Sequence, residues 1–157
     1  MSKATRATRT LETARIVFTV HSYAYDPDAD AIGLQAAAAL GEPPARVLKT
    51  LMARIDGKPV IAILPSDRQV AMKKLAAAFG GKSAEMMKPA DAERLSGYKV
   101  GGISPFGQMR VLPAAIEERA MAEPFIFLNG GQRGLQLRLA PADAARLLQA
   151  KITDILA

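Results

Sequence analysis

The sequence predicts a single α+β domain in which several strands pair antiparallel. Three observations carry this. Helical and strand-like patterns alternate along 157 residues with short connections between them. Two pairs of strand-like runs are joined by tight glycine turns, Asp56-Gly57 and Asn129-Gly130-Gly131, and hairpins exclude a purely doubly wound parallel sheet. Half of the residues are hydrophobic, and no repeat or linker divides the chain, so residues 1–157 suffice for one core. With only 5% aromatic residues, that core is built from aliphatic side chains.

Residues 4–14 read as a weak first helix, with fraying expected over residues 1–10. The β-branched run 16–21 is strand-like. Asp26-Pro27-Asp28 is a turn, and Asp28 or Asp30 can cap a helix that ends at Leu40, before Gly41 and Pro43-Pro44. Strands follow at 47–55 and 59–64, linked by Asp56-Gly57. A helix is expected over 69–79, capped near Ser66 or Asp67 and stopped by Gly80-Gly81. Pro89 opens a short helix that Gly97 ends. Residues 113–119 read as a further helical turn. Strands are expected at 124–128 and 134–139, and Pro141 opens a last helix to about 149. In the run 134–139, Leu135, Leu137 and Leu139 alternate with Gln136 and Arg138, the pattern of a half-exposed strand.

Composition excludes several classes. With no cysteine, disulfides, thiolate metal sites and a cysteine nucleophile are ruled out. The run 59–65 is far shorter than the roughly 20 residues of a spanning helix, and no secretory signal opens the chain, so a cytoplasmic protein is expected. Lys3, Arg6, Arg9 and Arg15 face one acid, Glu12, in the first fifteen residues, a mixture that suits a first helix better than an organelle presequence. The balance of 21 Lys+Arg against 15 Asp+Glu gives a net charge of +6, which favours an anionic partner such as nucleic acid. The few aromatic residues argue against a reader that stacks single-stranded bases.

Lys49 is the most informative residue. In a strand it shares a face with Val47, Leu51 and Ala53, and a lysine there either protects a sheet edge or points into a polar pocket. Thr50 faces the other way unless a bulge re-aims it. The loop Gly101-Gly102-Ile103-Ser104-Pro105-Phe106-Gly107 is either a structural turn or a ligand loop whose amides receive an anion or carbonyl oxygen. Ser104 lacks the G-x-S-x-G setting of a hydrolase nucleophile. Asn129–Gly134 is either a plain hairpin or a second pocket wall that offers Arg133 to phosphate. His21, the single histidine, is either a general base or a structural residue. The carboxylates are scattered and no metal site is expected.

Four blocks occur in an order that resembles the YbaK/EbsC family, related to the editing domains associated with prolyl-tRNA synthetase. They are His21-Ser22-Tyr23-Ala24-Tyr25-Asp26, Ala45-Arg46-Val47-Leu48-Lys49-Thr50-Leu51, Gly97–Gly107 and Gly130-Gly131-Gln132-Arg133-Gly134-Leu135. The resemblance spans about residues 11–150. It implies a mixed, mostly antiparallel, barrel-like sheet flanked by helices. It also implies trans-editing clearance of mischarged tRNA(Pro), typically Cys-tRNA(Pro), by hydrolytic or transfer-type ester cleavage.

In that family the lysine of the Lys-Thr pair is the key residue, here Lys49, and the G-x-x-x-P element falls on Gly101 and Pro105. Lys49, Gly101 and Ser104 are the expected catalytic positions. Lys49 anchors the terminal phosphate or ribose, and the amides of 101–104 face the carbonyl or ribose oxygens. Tyr23, Tyr25, Thr50, Gly102, Ile103, Pro105, Asn129, Gly130, Gly131 and Arg133 are the expected substrate contacts. The acceptor end of tRNA is the expected partner, prolyl-tRNA synthetase a second one, and no cofactor is expected. Asn129 stands where the family usually has serine, and Leu34 and Gln35 where acids are common. The resemblance suggests a route in which the substrate cysteine's own thiol attacks its ester, and the lack of a Ser-His-acid set fits it. The alternatives are an Ala-tRNA(Pro) deacylase that uses water, a non-catalytic module holding tRNA or the synthetase, and a serine hydrolase built on Ser104 and His21.

Overall fold

A capped helix opens the fold. In the computed structural model, which describes residues 4–29 and 32–157, α1 spans Arg6–Thr13. Thr5 and Thr8 cap its first turn reciprocally: Thr8 N–H donates to Thr5 Oγ1 at 3.1 Å, and Thr5 N–H to Thr8 Oγ1 at 2.8 Å. Ala7 and Leu11 are fully buried. β1 (Phe18–Ser22) follows. Asp28 closes an Asx turn, its N–H donating to Asp26 Oδ1 at 2.9 Å. α2 spans Ile32–Leu40, and Asp30 lies outside the described residues. Next come β2 (Leu48–Ile55), β3 (Lys58–Pro65), α3 (Met72–Ala78), β4 (Ala84–Met86) and α4 (Pro89–Ser96). The chain closes with β5 (Ala114–Glu117), β6 (Ile126–Asn129), β7 (Leu135–Leu139), α5 (Pro141–Leu148) and β8 (Lys151–Thr153).

The strands form two sheets, in the orders β1-β7-β6 and β4-β2-β3-β5-β8. The first is antiparallel throughout; in the second, β3–β5 and β5–β8 pair in parallel. The α+β class holds. Among the described residues the sheet does not close into a barrel: the two sheets are joined by one bridge, Val47 to Phe127. Leu48, Ile61, Ile63 and Ile116 of one sheet pack with Ile126, Leu128, Leu137 and Leu139 of the other in the main core. A second core lies across the larger sheet, where α3 packs Leu75 on Ala53, Ala62 and Leu64. α2 lays Ala36 and Ala37 on Phe127 in a third.

Three local expectations change. Residues 114–117 form a strand, not a helical turn. Alanine favours helix, but Ala114, Ala115 and Ile116 are buried between β3 and β8, and that packing overrides propensity. α3 starts at Met72 with Ala71 as its N-cap rather than Ser66 or Asp67. Ala71 N–H donates to Ile155 O at 2.8 Å and Val70 bridges to Leu156, which keeps the preceding residues extended. Gln136 is buried rather than half-exposed.

The C-terminal residues are tied down by charge. Buried Glu117 accepts from Ile155 N–H at 2.8 Å and from Arg119. Asp154 accepts from Lys74 Nζ at 2.7 Å, Leu156 N–H at 3.0 Å and Arg119 Nη1 at 3.1 Å, and these partners hold its carboxyl well below its usual 3.8. A carboxyl depressed in the folded state stabilises above its unfolded value and loses that contribution as pH falls. Asp154→Asn is therefore expected to lower the melting temperature at pH 7, with the gap to wild type closing in acid. Parallel thermal melts between neutral and acid pH check it.

Candidate functional site

β4 covers β2 only from Ala53 to Ile55, and Met87 N–H donates to Met52 O at 3.0 Å. The first half of β2 is therefore an open edge, bordering a cleft of about 300 Å³. This explains why consecutive residues from Leu48 to Met52 line it, including both Lys49 and Thr50, which strict alternation would separate. The rest of its lining comes from Val100, Gly101 and Ile103, from Tyr23, Asn129 and Gln136, and from the apolar Met87, Pro89 and Ala92.

Lys49 is half-buried, and burial lowers the pKa of its ammonium below the usual 10.5, partly offset by the carboxylate of Asp67. Burial raises the Tyr23 phenol above 10.0, against the opposing effect of a hydrogen bond with Gln136. Two buried oxygens, Thr50 Oγ1 and Gln136 Oε1, have no protein partner. An unmade hydrogen bond is costly at a buried site, so each leaves an unsatisfied acceptor on a residue that lines the cleft.

The two glycine loops are fastened to each other. Asn129 Nδ2 donates to Gly101 O at 3.3 Å, and Asn129 Oδ1 accepts from Gly131 N–H at 2.7 Å. Arg133 Nε donates to Val100 O at 2.9 Å, and its guanidinium lies 5.5 Å from the centre of the Tyr25 ring. At Gly101, φ is 90° and an added Cβ would sit 2.4 Å from the Tyr25 hydroxyl; at Gly102 it would sit 2.7 Å from Arg133 N. Within the 101–107 loop, Gly102 N–H is spent on Lys99 O and Phe106 N–H on Ser104 Oγ, whereas Gly101 and Ile103 face the cleft.

Of the residues singled out from sequence, Lys49, Thr50, Tyr23, Gly101, Ile103 and Asn129 line the cleft together. Tyr25, Gly102, Gly130, Gly131 and Arg133 do not line it, although Tyr25 lies close to Gly101 and Arg133 bonds to Val100. Ser104 is fully buried, and Pro105 lines a different cavity, with Phe106 and Leu112. His21 shares a 2.8 Å hydrogen bond with Thr19 Oγ1 and stacks edge-on against Phe127 at 5.3 Å. Among the described residues, no group of three metal-ligand side chains converges and no helix is long and apolar enough to cross a membrane.

Sequence reasoning missed Gln136. Strand register explains it: Gln136 lies opposite His21 on one side and Asn129 on the other, a row of polar residues across the smaller sheet. Tyr23 bonds to Gln136 at the cleft, while Arg138, two residues on, remains exposed as expected. The signal was the cross-strand row, visible only once the pairing is known.

Residues of both glycine-rich segments and a half-buried lysine thus meet at one cleft of an α+β domain. The chain belongs to the aminoacyl-tRNA editing domain family, whose model matches residues 26–147. It is 32% identical over 156 residues to EbsC of Enterococcus faecalis, named as a candidate Cys-tRNA(Pro)/Cys-tRNA(Cys) deacylase, covering 96% of this chain and 92% of that one. It is 28% identical over 117 residues to the multifunctional Ser/Thr-tRNA deacylase ProXp-y of Escherichia coli, covering 68% and 66% respectively. Its fold matches the crystal structure of a candidate trans-editing enzyme for prolyl-tRNA synthetase, with a TM-score of 0.83 at 21% identity, covering 100% of this chain and 98% of that one.

Proposed function

We propose that the protein is a trans-editing deacylase that clears mischarged tRNA(Pro), with Cys-tRNA(Pro) as its substrate, in the cytoplasm and beside prolyl-tRNA synthetase. The observation that carries this reading is a half-buried cation, Lys49, in one cleft with the glycine loop at Gly101 and Ile103. Lys49 anchors the terminal phosphate or ribose. The amides of Gly101 and Ile103 face the ester carbonyl. Thr50 Oγ1 and Gln136 Oε1 accept from the α-ammonium of the amino acid.

The chain contains no cysteine, so the thiol comes from the substrate. The thiolate sulfur attacks the cysteine's own carbonyl carbon and an S–C bond forms. The ester C–O bond breaks, the ribose oxygen leaves with the proton that the thiol gave up, and water then opens the cyclic thioester so formed to free cysteine. The protein supplies orientation, which contributes several kcal/mol to such intramolecular attacks.

The stem is held by exposed cations at the mouth. Lys88 stands between cleft residues Met87 and Pro89, Lys99 directly precedes Val100, and neither has a carboxylate partner among the described residues. On the other rim, Arg46 is neutralised by Glu42 and Glu123. Contacts of this kind weaken with salt.

A pH dependence follows. The rate is expected to rise as the thiol ionises near about 8.5. It then falls as Lys49 loses its proton, earlier than an exposed lysine would, because burial lowers its pKa. Lys49→Arg keeps the cation and removes the falling limb. Single-turnover rates against pH, corrected for uncatalysed hydrolysis, check both limbs. The reading itself is tested by multiple-turnover release of cysteine from excess Cys-tRNA(Pro); a module that only binds gives protection without release.

A second reading has its own observation. The unpartnered oxygens of Thr50 and Gln136 also suit a side-chain hydroxyl, which the amino acid of a serine or threonine ester carries and cysteine does not.

A further inference from the structure

We infer that α1 is part of the deacylation machinery, with Thr5 and Arg6 as positioning residues that set both glycine loops from behind the cleft. This rests on the functional reading above. Neither residue lines the cleft, and both precede the region matched by the family model.

The contacts come from the first turn of the helix. Thr5 Oγ1 donates to Gly130 O at 2.6 Å, although the two residues are 125 positions apart in the chain. Arg6 Nε donates to Gly107 O at 3.1 Å, and Arg6 Nη2 to Ser96 O at 3.2 Å. The Arg6 guanidinium lies 5.1 Å from the centre of the Tyr98 ring, and the Tyr98 hydroxyl donates to Phe106 O at 2.6 Å. One helical turn therefore reaches Gly130 in one loop, and Gly107 and, through Tyr98, Phe106 in the other.

Packing makes the contact close as well as polar. An added Cβ at Gly107 would lie 2.7 Å from the carbonyl of Arg6, and one at Gly131 would lie 2.8 Å from Tyr98 and 3.4 Å from Thr5. The glycines thus bring the loop backbones directly onto this turn and its Tyr98 neighbour. On the cleft side the loops are fastened by Asn129 and Arg133. With α1 behind, Gly101 and Ile103 have little freedom to move relative to Lys49.

Thr5 also caps α1, so loop positioning must be separated from helix stability. Thr8 makes the comparison possible: its hydroxyl completes the other half of the capping box and contacts neither loop. The experiment uses the full chain as Thr5→Val, Thr5→Ser, Thr8→Val and Arg6→Ala. It measures the single-turnover rate on Cys-tRNA(Pro) at saturating protein, the Kd for uncharged tRNA, Tm, and amide exchange across 100–107 and 129–134. Thr5→Val and Arg6→Ala are expected to slow the rate about tenfold or more, with Kd unchanged and exchange faster in both loops. Thr5→Ser restores wild-type rate. Thr8→Val loses Tm but neither rate nor loop protection. The inference is overturned if Thr5→Val keeps the wild-type rate and loop protection, or if Thr8→Val loses as much rate as Thr5→Val. If Arg6→Ala does not fold, the Thr5 and Thr8 variants decide alone. If the wild-type protein releases no amino acid, the functional reading fails, and loop exchange in the same variants still tests the positioning role.

Discussion

Lys49→Ala is expected to cost most of the deacylation rate while the protein melts cooperatively at an unchanged or slightly higher temperature. The two halves of this result have one cause. Burial disfavours the ammonium and lowers its pKa, so the fold gains little from the charge, and Asp67 offsets the penalty only in part. The bound substrate gains a great deal, because a cation in a partly desolvated cleft meets a phosphate or ribose oxygen. Truncating such a contact costs about 2–5 kcal/mol, about 30- to 4,000-fold in rate at 1.4 kcal/mol per tenfold. Single-turnover deacylation and a thermal melt of the same sample check both halves. A variant with the wild-type rate removes Lys49 from the site.

Gly102→Ala is expected to have the next largest effect. Its added Cβ would sit 2.7 Å from Arg133 N and 2.9 Å from the Gln132 carbonyl carbon. Both are backbone atoms, so relief requires the loops to part. A misplacement of roughly 1 Å at reacting groups costs about a hundredfold in rate, and overpacking costs about 1–3 kcal/mol of stability. Gly57→Ala is the contrast: its φ of 86° is strained for alanine, but the space around it is open and it sits at the turn of the β2–β3 hairpin, the opposite end from Lys49. It is expected to lower stability and leave the rate unchanged. Paired rate and melting measurements separate the two.

Much of the fold was legible because its signals are local. Asp56-Gly57 marks the β2–β3 turn, where both residues have positive φ. Pro89 and Gly97 bracket α4, and Pro141 opens α5. What was not legible depends on partners. β4 and β8 have three residues each and are strands only because β2 and β5 lie beside them. Ala114 and Ala115 read as helix until their parallel neighbours are known.

The site divides in the same way. Lys49 announces itself as an ionisable residue in an apolar strand, and the glycine loops do so by composition. The short reach of β4, which leaves the β2 edge open and brings both Lys49 and Thr50 to the cleft, has no sequence signature. Nor does the row that buries Gln136. The resemblance in four blocks placed Lys49, Gly101 and Asn129 in one site before their distances could be known. It did not foresee that Asn129, where serine is usual, bonds to Gly101 and so ties the two loops together.

The central claim is that the reacting thiol belongs to the substrate. The most direct measurement is the single-turnover deacylation rate of Cys-tRNA(Pro), Ser-tRNA(Pro) and Ala-tRNA(Pro) under identical conditions. Exchanging sulfur for oxygen changes the nucleophile with little change in side-chain size. The account expects rapid clearance of the cysteine ester, with the serine and alanine esters near the uncatalysed rate. Clearance of the serine ester as fast as the cysteine ester would contradict it and favour the hydroxyl reading, and clearance of alanine with no action on cysteine would point to attack by water.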